Sequence, residues 1–251
     1  MQAIILAAGL AKRLRPLTDT TPKCLLEVGG KNLLHRTMEN VIANGITDFV
    51  FVTGYREDMI KNYLKKNFPN VSIQFLSNLD FANNNNSYSL WMTKNFITKD
   101  IILLDSDILF DKGIIKELLD SEHKNCLAVN FETELDEEQI KVVLDNNENK
   151  KILEISKVTD LKKSAGESIG IERFSLDFMQ ELYKVLDRKI INERNVNEFY
   201  EKSFEEVIQL NEAANKTHYE RNSIYAIDVS HYKCMEIDTV EDYERAKNMT
   251  I

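Results

Sequence analysis

Short apolar runs alternate with amphipathic segments through the first half of the chain. Apolar runs rich in β-branched and aromatic residues predict buried strands, and apolar positions at helical spacing predict helices. The predicted strands are residues 2–6, 48–53, 71–76, 100–104 and 126–130. The predicted helices are residues 33–44, 57–67, 87–96 and 112–121. This alternation predicts an α/β fold with three layers around a mostly parallel sheet.

The pattern changes from residue 132 onwards. Apolar runs at residues 141–144 and 151–155 flank an Asp-Asn-Asn-Glu-Asn spacer, and such a turn-rich spacer predicts a hairpin. The later predicted elements are an extended run at 166–174, helices at 176–192 and 200–209, a strand at 223–228 and a helix at 240–248. We expect one domain over residues 1–251, in which residues of about 132–222 form an inserted hairpin and helical lobe.

The composition narrows the classes of partner. Hydrophobic residues make up 43% of the 251 residues, which is enough for a substantial core. The net charge of −9 argues against a nucleic-acid or membrane-surface partner, because either would favour a basic face. The three cysteines, Cys24, Cys126 and Cys234, have no metal-site spacing and are odd in number, unlike a disulfide scaffold. We therefore expect a soluble, cytoplasmic protein.

The loop after the first predicted strand concentrates positive charge. Residues 6–14 read Leu-Ala-Ala-Gly-Leu-Ala-Lys-Arg-Leu, and Pro-Lys follows at residues 22–23. Small residues let backbone amides approach an anion closely, and Arg13 and Lys23 can bind phosphate oxygens. The loop lacks the Gly-Lys-Ser/Thr ending of a P-loop and the three spaced glycines of a dinucleotide-binding loop. The residues alone also fit a strand followed by a solvated basic loop.

Carboxylates follow another predicted strand. Asp105 and Asp107 come directly after the apolar run at residues 100–104, and on a strand both would point to one side. Ligands of parallel α/β sheets bind beyond the carboxyl ends of the strands, and Mg²⁺ prefers carboxylate oxygens. The pair therefore fits a Mg²⁺ site, and it also fits an ordinary polar strand end. Asp238, far downstream, precedes a predicted helix and also fits an N-cap.

The basic loop resembles the signature of the nucleotidyltransferases that activate sugar phosphates and small phospho-alcohols. Their pattern is Leu-Ala-Ala-Gly-x-Gly-x-Arg-Leu followed by Pro-Lys, and this chain departs from it at Ala11, where the family usually has glycine. The resemblance covers essentially the whole chain and implies a Rossmann-like nucleotidyltransferase fold. In this family the second acid of such a strand-end pair and a late acid hold the metal, which implies Mg²⁺ on Asp107 and Asp238.

A second segment narrows the subgroup. Residues 85–89 read Asn-Asn-Ser-Tyr-Ser and are similar to the Asn-Asn-x-x-Ser segment of cytidylyltransferases that act on phosphocholine and aminophosphonates. Amide and hydroxyl side chains suit the donors and acceptors of a pyrimidine. The ring of Tyr88 suits a cation in the acceptor. The residues alone also fit an asparagine run that ends in a serine cap, with Tyr88 in the core.

Two further segments resemble the same subgroup. They are Ile-Ser-Lys at residues 155–157 and Gly-Glu-Ser-Ile-Gly at residues 166–170. The resemblance implies that Lys157 supplies a second cation beside the transferring phosphate, and that Glu167 and Gly170 line the acceptor pocket. Taken alone, Lys157 also fits a solvated strand lysine.

The resemblance implies four sets of site residues. The expected catalytic residues are Arg13, Lys23 and Lys157. The expected nucleotide-binding residues are Leu6, Ala7, Ala8, Gly9, Ala11, Lys12, Asn85, Asn86, Ser89 and Asp105. The expected acceptor-binding residues are Tyr88, Glu167 and Gly170, and the expected metal ligands are Asp107 and Asp238.

The reaction implied by the resemblance is Mg²⁺-dependent transfer of CMP from CTP to a small phosphate monoester or phosphonate, with release of pyrophosphate. Phosphocholine, aminoethylphosphonate and phosphorylated amino acids are acceptors of this class, which serves cell-surface glycoconjugate biosynthesis. Two alternatives stay open. One is a sugar-1-phosphate nucleotidyltransferase that uses UTP, dTTP or CTP, and the other is a non-catalytic nucleotide-binding module in which Ala11 marks the lost activity. The resemblance also favours a homodimer.

Overall fold

The computed structural model describes residues 1–147, 150–213 and 222–249, which fold around a nine-stranded sheet. The strands are β1 (Gln2–Ala7), β2 (Glu27–Val28), β3 (Lys31–Asn32), β4 (Asp48–Thr53), β5 (Ser72–Ser77), β6 (Ile101–Asp105), β7 (Ile108–Phe110), β8 (Cys126–Asn130), β9 (Lys141–Leu144), β10 (Ile152–Ser156), β11 (Gly166–Phe174), β12 (Tyr225–Asp228) and β13 (Cys234–Glu236). The helices are α1 (Leu33–Ala43), α2 (Glu57–Asn67), α3 (Asn86–Met92), α4 (Gly113–Asp120), α5 (Leu176–Asp187), α6 (Glu201–Ala213) and α7 (Val240–Lys247).

The sheet combines a parallel half with an antiparallel half. Its order is β10-β9-β11-β6-β1-β4-β5, and β8 joins it by pairing with both β11 and β12. The strands β6, β1, β4 and β5 are mutually parallel, whereas β11 runs antiparallel to β6, β8 and β9. The predicted α/β fold with a mostly parallel central sheet is confirmed, and the antiparallel pairs are concentrated around β11.

Both faces of the sheet are buried, as expected for parallel strands covered by helices. Along β1, Ile4 and Leu6 belong to one apolar cluster, which also contains side chains of α5 and α6. The alternate residues Ala3 and Ile5 belong to a second cluster, with side chains of α1, α2 and α4. Two helical layers therefore enclose the sheet, which gives the three layers that the sequence predicts.

Most predicted elements are confirmed to within a residue or two. The strands β4, β8 and β11 and the helix α2 have the predicted bounds, and the predicted hairpin forms from β9 and β10. Two of its spacer residues, 148 and 149, lie outside the described residues, as do residues 214–221 of the predicted lobe. The helix predicted at residues 176–192 changes character, because α5 ends at Asp187 and a π-helical turn, Arg188–Asn192, follows.

The short strands β7 and β13 are not predicted by the sequence pattern. They pair antiparallel, so Glu236 lies opposite Ile108, directly after Asp107. This small ribbon brings a late segment of the chain to the carboxyl end of β6. Over the described ranges, no helix combines the length and the apolar character needed to cross a membrane.

Candidate active site

A cavity of about 350 Å³ opens at the carboxyl ends of β1 and β6. The loop after β1, the start of α3, the turn between β6 and β7, and the end of β13 form its walls. Of all the residues that the sequence predicts for the site, only Tyr88 and Glu167 are not among the described residues that line it. The topology therefore brings segments that are far apart in sequence to one place.

Tyr88 and Glu167 lie elsewhere. Tyr88 is partly buried against the apolar core, and its ring centroid is 5.3 Å from that of Trp91. Glu167 lies on β11, in register with Asn130 and Lys141 of the neighbouring strands. Burial raises the pKa of the Glu167 carboxyl. Gly170, the third residue predicted for the acceptor, does line the cavity.

The loop after β1 contains a non-glycine residue in the left-handed region. Ala11 has φ 47° and ψ 52°, and its carbonyl accepts a hydrogen bond from the Thr18 hydroxyl at 2.9 Å. A Cβ is unfavourable in this conformation, which is the natural place for glycine. Ala11 therefore keeps the backbone shape of the signature loop with local strain.

Lys23 is the cation at the centre of the cavity. Its Nζ donates to Asp107 Oδ2 at 2.8 Å and to Asp238 Oδ1 at 2.6 Å, and only 11% of its side chain is exposed. Burial by itself lowers the pKa of the Lys23 ammonium, but the charges of Asp107 and Asp238 outweigh it and raise the pKa above its usual value. Lys23 is therefore held as a charged donor throughout the physiological pH range.

A third carboxylate completes this group. Oxygens of Asp107, Glu236 and Asp238 lie within 4.8 Å of one another. Within the part of the chain that the structure describes, the buried Oδ1 of Asp107 has no hydrogen-bond partner. Burial, and then the charges of Asp107 and Asp238, raise the pKa of Glu236 to about 8. Several carboxylates around an unsatisfied buried oxygen fit a divalent cation, which prefers oxygen ligands.

Two more cations stand at the rim of the cavity. Arg13 bonds to Asp238, and Lys157 Nζ donates to Glu138 at 2.9 Å. Glu138 also lies 3.7 Å from Arg13. The basic loop and the β10 end therefore face the same space, where a polyphosphate can exchange with Glu138 as the partner of both cations.

The asparagine segment has structural contacts of its own. Asn85 caps α3 by accepting from the Asn86 amide, and Asn86 Oδ1 accepts from the backbone N–H of Tyr200 at 2.9 Å. Ser89 Oγ accepts from Asn78 at 3.1 Å. These three side chains line the cavity, and the Asn86 side chain also ties α3 to the segment that precedes α6.

The comparisons with known proteins agree with this geometry. A family model described as nucleotidyl transferase matches residues 2–153, which is more than half of the chain. The chain belongs to the nucleotidyl transferase family. It is therefore a nucleotidyltransferase, and the basic loop and Asp107 fall within the matched residues.

Three relatives of this nucleotidyltransferase describe its neighbourhood. CTP:phosphoglutamine cytidylyltransferase of Campylobacter jejuni is 28% identical over 97% of this chain and 98% of its own length. Choline-phosphate cytidylyltransferase of Streptococcus pneumoniae is 36% identical, but over only 44% of this chain and 46% of its own length. The solved CTP:phosphocholine cytidylyltransferase from Streptococcus pneumoniae superposes with a TM-score of 0.75 at 22% identity, and covers 98% of this chain and 97% of the other. That likeness establishes the fold.

Three acids of the nucleotidyltransferase cavity are absent from the residues that the resemblance implies: Glu138, Glu201 and Glu236. Glu236 had a signal in the sequence, because it lies two positions before Asp238 and alternation on a strand places both on one side. Glu201 and Glu138 had no local signal. Glu201 begins α6, and only the packing of that helix brings it to the cavity.

Proposed function

We propose that this nucleotidyltransferase transfers CMP from CTP to a small phosphate monoester or phosphonate and releases pyrophosphate. The observation that carries the proposal is the position of Lys23, which bridges Asp107 and Asp238 between the basic loop and Lys157. Such a centre gathers anions around one buried positive charge. The relatives named for cytidylyl transfer to phosphoglutamine and phosphocholine support the choice of CTP and of a small acceptor.

The acceptor itself is the nucleophile in this reaction. Its phosphate oxygen attacks the α-phosphorus of CTP, the bond to the β-phosphate oxygen breaks, and pyrophosphate leaves. The second pKa of a phosphate monoester is about 6, so the acceptor is mostly a dianion at pH 7. The reaction therefore needs no general base from the protein, and its main obstacle is repulsion between two anions.

The cations of the cavity reduce the repulsion between the two anionic substrates. Lys23 contacts the α-phosphate and stabilises the charge that develops there, because a buried, preorganised donor acts strongly in the transition state. Arg13 binds the β- and γ-phosphates and the leaving pyrophosphate. Lys157 binds the acceptor phosphate. When the substrates bind, their phosphates replace Glu138 as the partner of Arg13 and Lys157.

A divalent cation, Mg²⁺ in this proposal, fits the carboxylates of Asp107, Glu236 and Asp238. When bound, it neutralises charge on phosphate oxygens and aligns the two reactants. Lys23 already bonds two of these carboxylates, so it keeps them oriented toward the cavity.

The asparagine segment provides recognition of the base. The Oδ1 atoms of Asn85 and Asn86 accept hydrogen bonds from backbone N–H groups. Their side-chain NH₂ groups can therefore donate to a ligand. Cytosine presents two neighbouring acceptors, O2 and N3, whereas uracil presents a donor at N3. Two donors from one helix start therefore favour CTP over UTP.

The test is pyrophosphate release with Mg²⁺, in which CTP, UTP, GTP, ATP and dTTP are each crossed with phospho-amines and sugar 1-phosphates. Turnover with CTP and a phospho-amine supports the proposal, and Lys23→Ala should then remove most of it. Lys31→Ala is the matched control, because Lys31 is an exposed lysine that pairs with Glu39 outside the cavity. Turnover with a sugar 1-phosphate alone would contradict the acceptor class, and no turnover with any pair would contradict the proposal.

A further inference from the structure

A buried carboxylate that no part of the proposed mechanism uses lies in the wall of the cavity. Glu201 is the first residue of α6, is 5% exposed, and lines the cavity. Its Oε2 is buried, and none of the described residues forms a hydrogen bond with it. Leaving a buried carboxylate oxygen without a partner is unfavourable, so its presence in a cavity wall indicates a ligand that supplies the partner.

The surrounding contacts hold Glu201 in place. The backbone N–H of the preceding residue, Tyr200, donates to Asn86 Oδ1, and the Tyr200 hydroxyl donates to Asp105 Oδ2 at 2.9 Å. Gly170 lies against the Asp105 carboxylate, since a Cβ built on Gly170 would be 3.2 Å from Asp105 Oδ2. The residue before Glu201 is thus anchored to Asp105, which lies beside the glycine that the sequence predicts for acceptor binding.

The acidic side chains around Glu201 repel one another when they are ionised. Burial first, and then the charges of neighbouring carboxylates that include Glu201, raise the pKa of Asp105 and of the completely buried Glu172, which favours their neutral forms until a positive group is near. Burial raises the pKa of Glu201 itself to about 7. Lys23, the buried lysine of this cavity, is bonded to Asp107 and Asp238 instead. A positive group from the ligand would complete this wall.

The arrangement favours an organic cation over a second metal ion. Among the described residues, the only carboxylates whose oxygens converge closely enough to hold a metal are Asp107, Glu236 and Asp238. Phe199 also lines the cavity and is 43% exposed, and Lys157 Nζ lies 6.0 Å from its ring centroid. Phe199 therefore places an aromatic ring near Lys157 in the wall of the same cavity that Glu201 lines, and such a ring suits the carbon chain of a zwitterion.

From this geometry we infer that Glu201 binds the ammonium group of the acceptor, so that the acceptor is a phosphate or phosphonate with a positively charged amine. This inference rests on the proposed function and adds the chemical class of the acceptor. It also makes Glu201 the acid of the acceptor pocket, whereas Glu167, the acid that the resemblance implies for that pocket, lies outside the cavity lining.

The test compares each cationic acceptor with a neutral analogue of the same shape. Phosphocholine is paired with 3,3-dimethylbutyl phosphate, and 2-aminoethylphosphonate with propylphosphonate. The measured quantity is kcat/KM for the cationic acceptor divided by kcat/KM for its neutral analogue, in the pair that wild type uses better. Glu201→Gln should lower this ratio by about 10–100-fold, the effect of losing a charged partner. The kcat/KM for the neutral analogue should stay nearly unchanged.

Two matched variants separate the charge of Glu201 from general damage. Glu205→Gln changes a buried acid one turn further along α6 that pairs with Lys202 at 2.7 Å and does not line the cavity. Glu167→Gln changes the acid that the sequence predicts. Both should keep the wild-type ratio. The inference would be overturned if Glu201→Gln lowered both kcat/KM values equally or kept the ratio, or if Glu167→Gln removed the preference.

Calorimetric binding of phosphocholine and 2-aminoethylphosphonate, without nucleotide, separates this inference from the proposed function. If wild type releases no pyrophosphate from CTP but binds either compound, and Glu201→Gln weakens that binding at least tenfold, the cation site stands and the proposed function fails. If wild type binds neither compound, and shows no preference for a cationic acceptor, the inference is overturned.

Discussion

Replacing Glu201 with glutamine should stabilise the protein at neutral and alkaline pH. Burial raises the pKa of this carboxyl from 4.5 to about 7, so between these values the folded state binds a proton more strongly than the unfolded state does. The contribution of Glu201 to the free energy of unfolding therefore falls as the pH rises from about 4.5 to about 7. Glutamine has the same shape and does not ionise, so it should show no such loss.

The size of the effect follows from two opposing contributions. A shift of this size corresponds to about 3 kcal/mol of unfolding free energy above pH 7. Against this, Glu201 lies in the first turn of α6, where a negative charge is favourable by about 0.3–1 kcal/mol. We therefore expect Glu201→Gln to be about 2–3 kcal/mol more stable than wild type at pH 8, and nearly equal to it at pH 4.5.

Urea unfolding at a series of pH values between 4.5 and 8 measures this difference directly. Glu205→Gln is the control, because Glu205 is a buried acid of the same helix that is paired with Lys202. Equal stabilities of wild type and Glu201→Gln at pH 8 would refute the argument that burial of the ionised Glu201 carboxylate destabilises the folded state. A gain that is the same at pH 4.5 and pH 8 would also refute it, since the gain would then not arise from charge.

Three further predictions concern the loop and the metal ligands. Lys23→Ala should lower kcat by about 10²–10³, the scale for a lost preorganised donor, and near-normal pyrophosphate release would contradict this role. Asp107→Asn should raise the Mg²⁺ concentration needed for half-maximal activity, because it removes a charged ligand; an unchanged Mg²⁺ titration would argue against ligation. Ala11→Gly should raise the free energy of unfolding in urea by about 0.5–1 kcal/mol by relieving the left-handed strain, and a loss of stability would contradict that account.

The elements of the fold could be predicted because their signals are local. The apolar runs of β4 and β8 and the helical spacing of α2 are properties of a few neighbouring residues, and the structure keeps their predicted bounds. The basic loop, with Arg13 and Lys23, is likewise a contiguous motif. Its position at a strand end follows from the α/β pattern alone.

The direction of side chains around β11 depended on its register with the neighbouring strands. The pairing of β11 with β8 shifts between Ser168 and Glu172, and Gly170 within that interval has φ 71°. A bulge of this kind breaks the regular alternation of a strand. The sequence therefore predicts that residues 166–170 reach the cavity. It does not show which of them line it, and in the structure Gly170 does and Glu167 does not.

The sequence by itself determined the α/β architecture, the basic loop and the strand-end acids, because periodicity and contiguous motifs are set by neighbouring residues. Only the tertiary structure decided which further acids join the cavity. The ribbon of β7 and β13 brings Glu236 to Asp107, and the packing of α6 brings Glu201 to Asp105 through Tyr200. These partners are separated by about a hundred residues of chain, so no local pattern can encode their meeting.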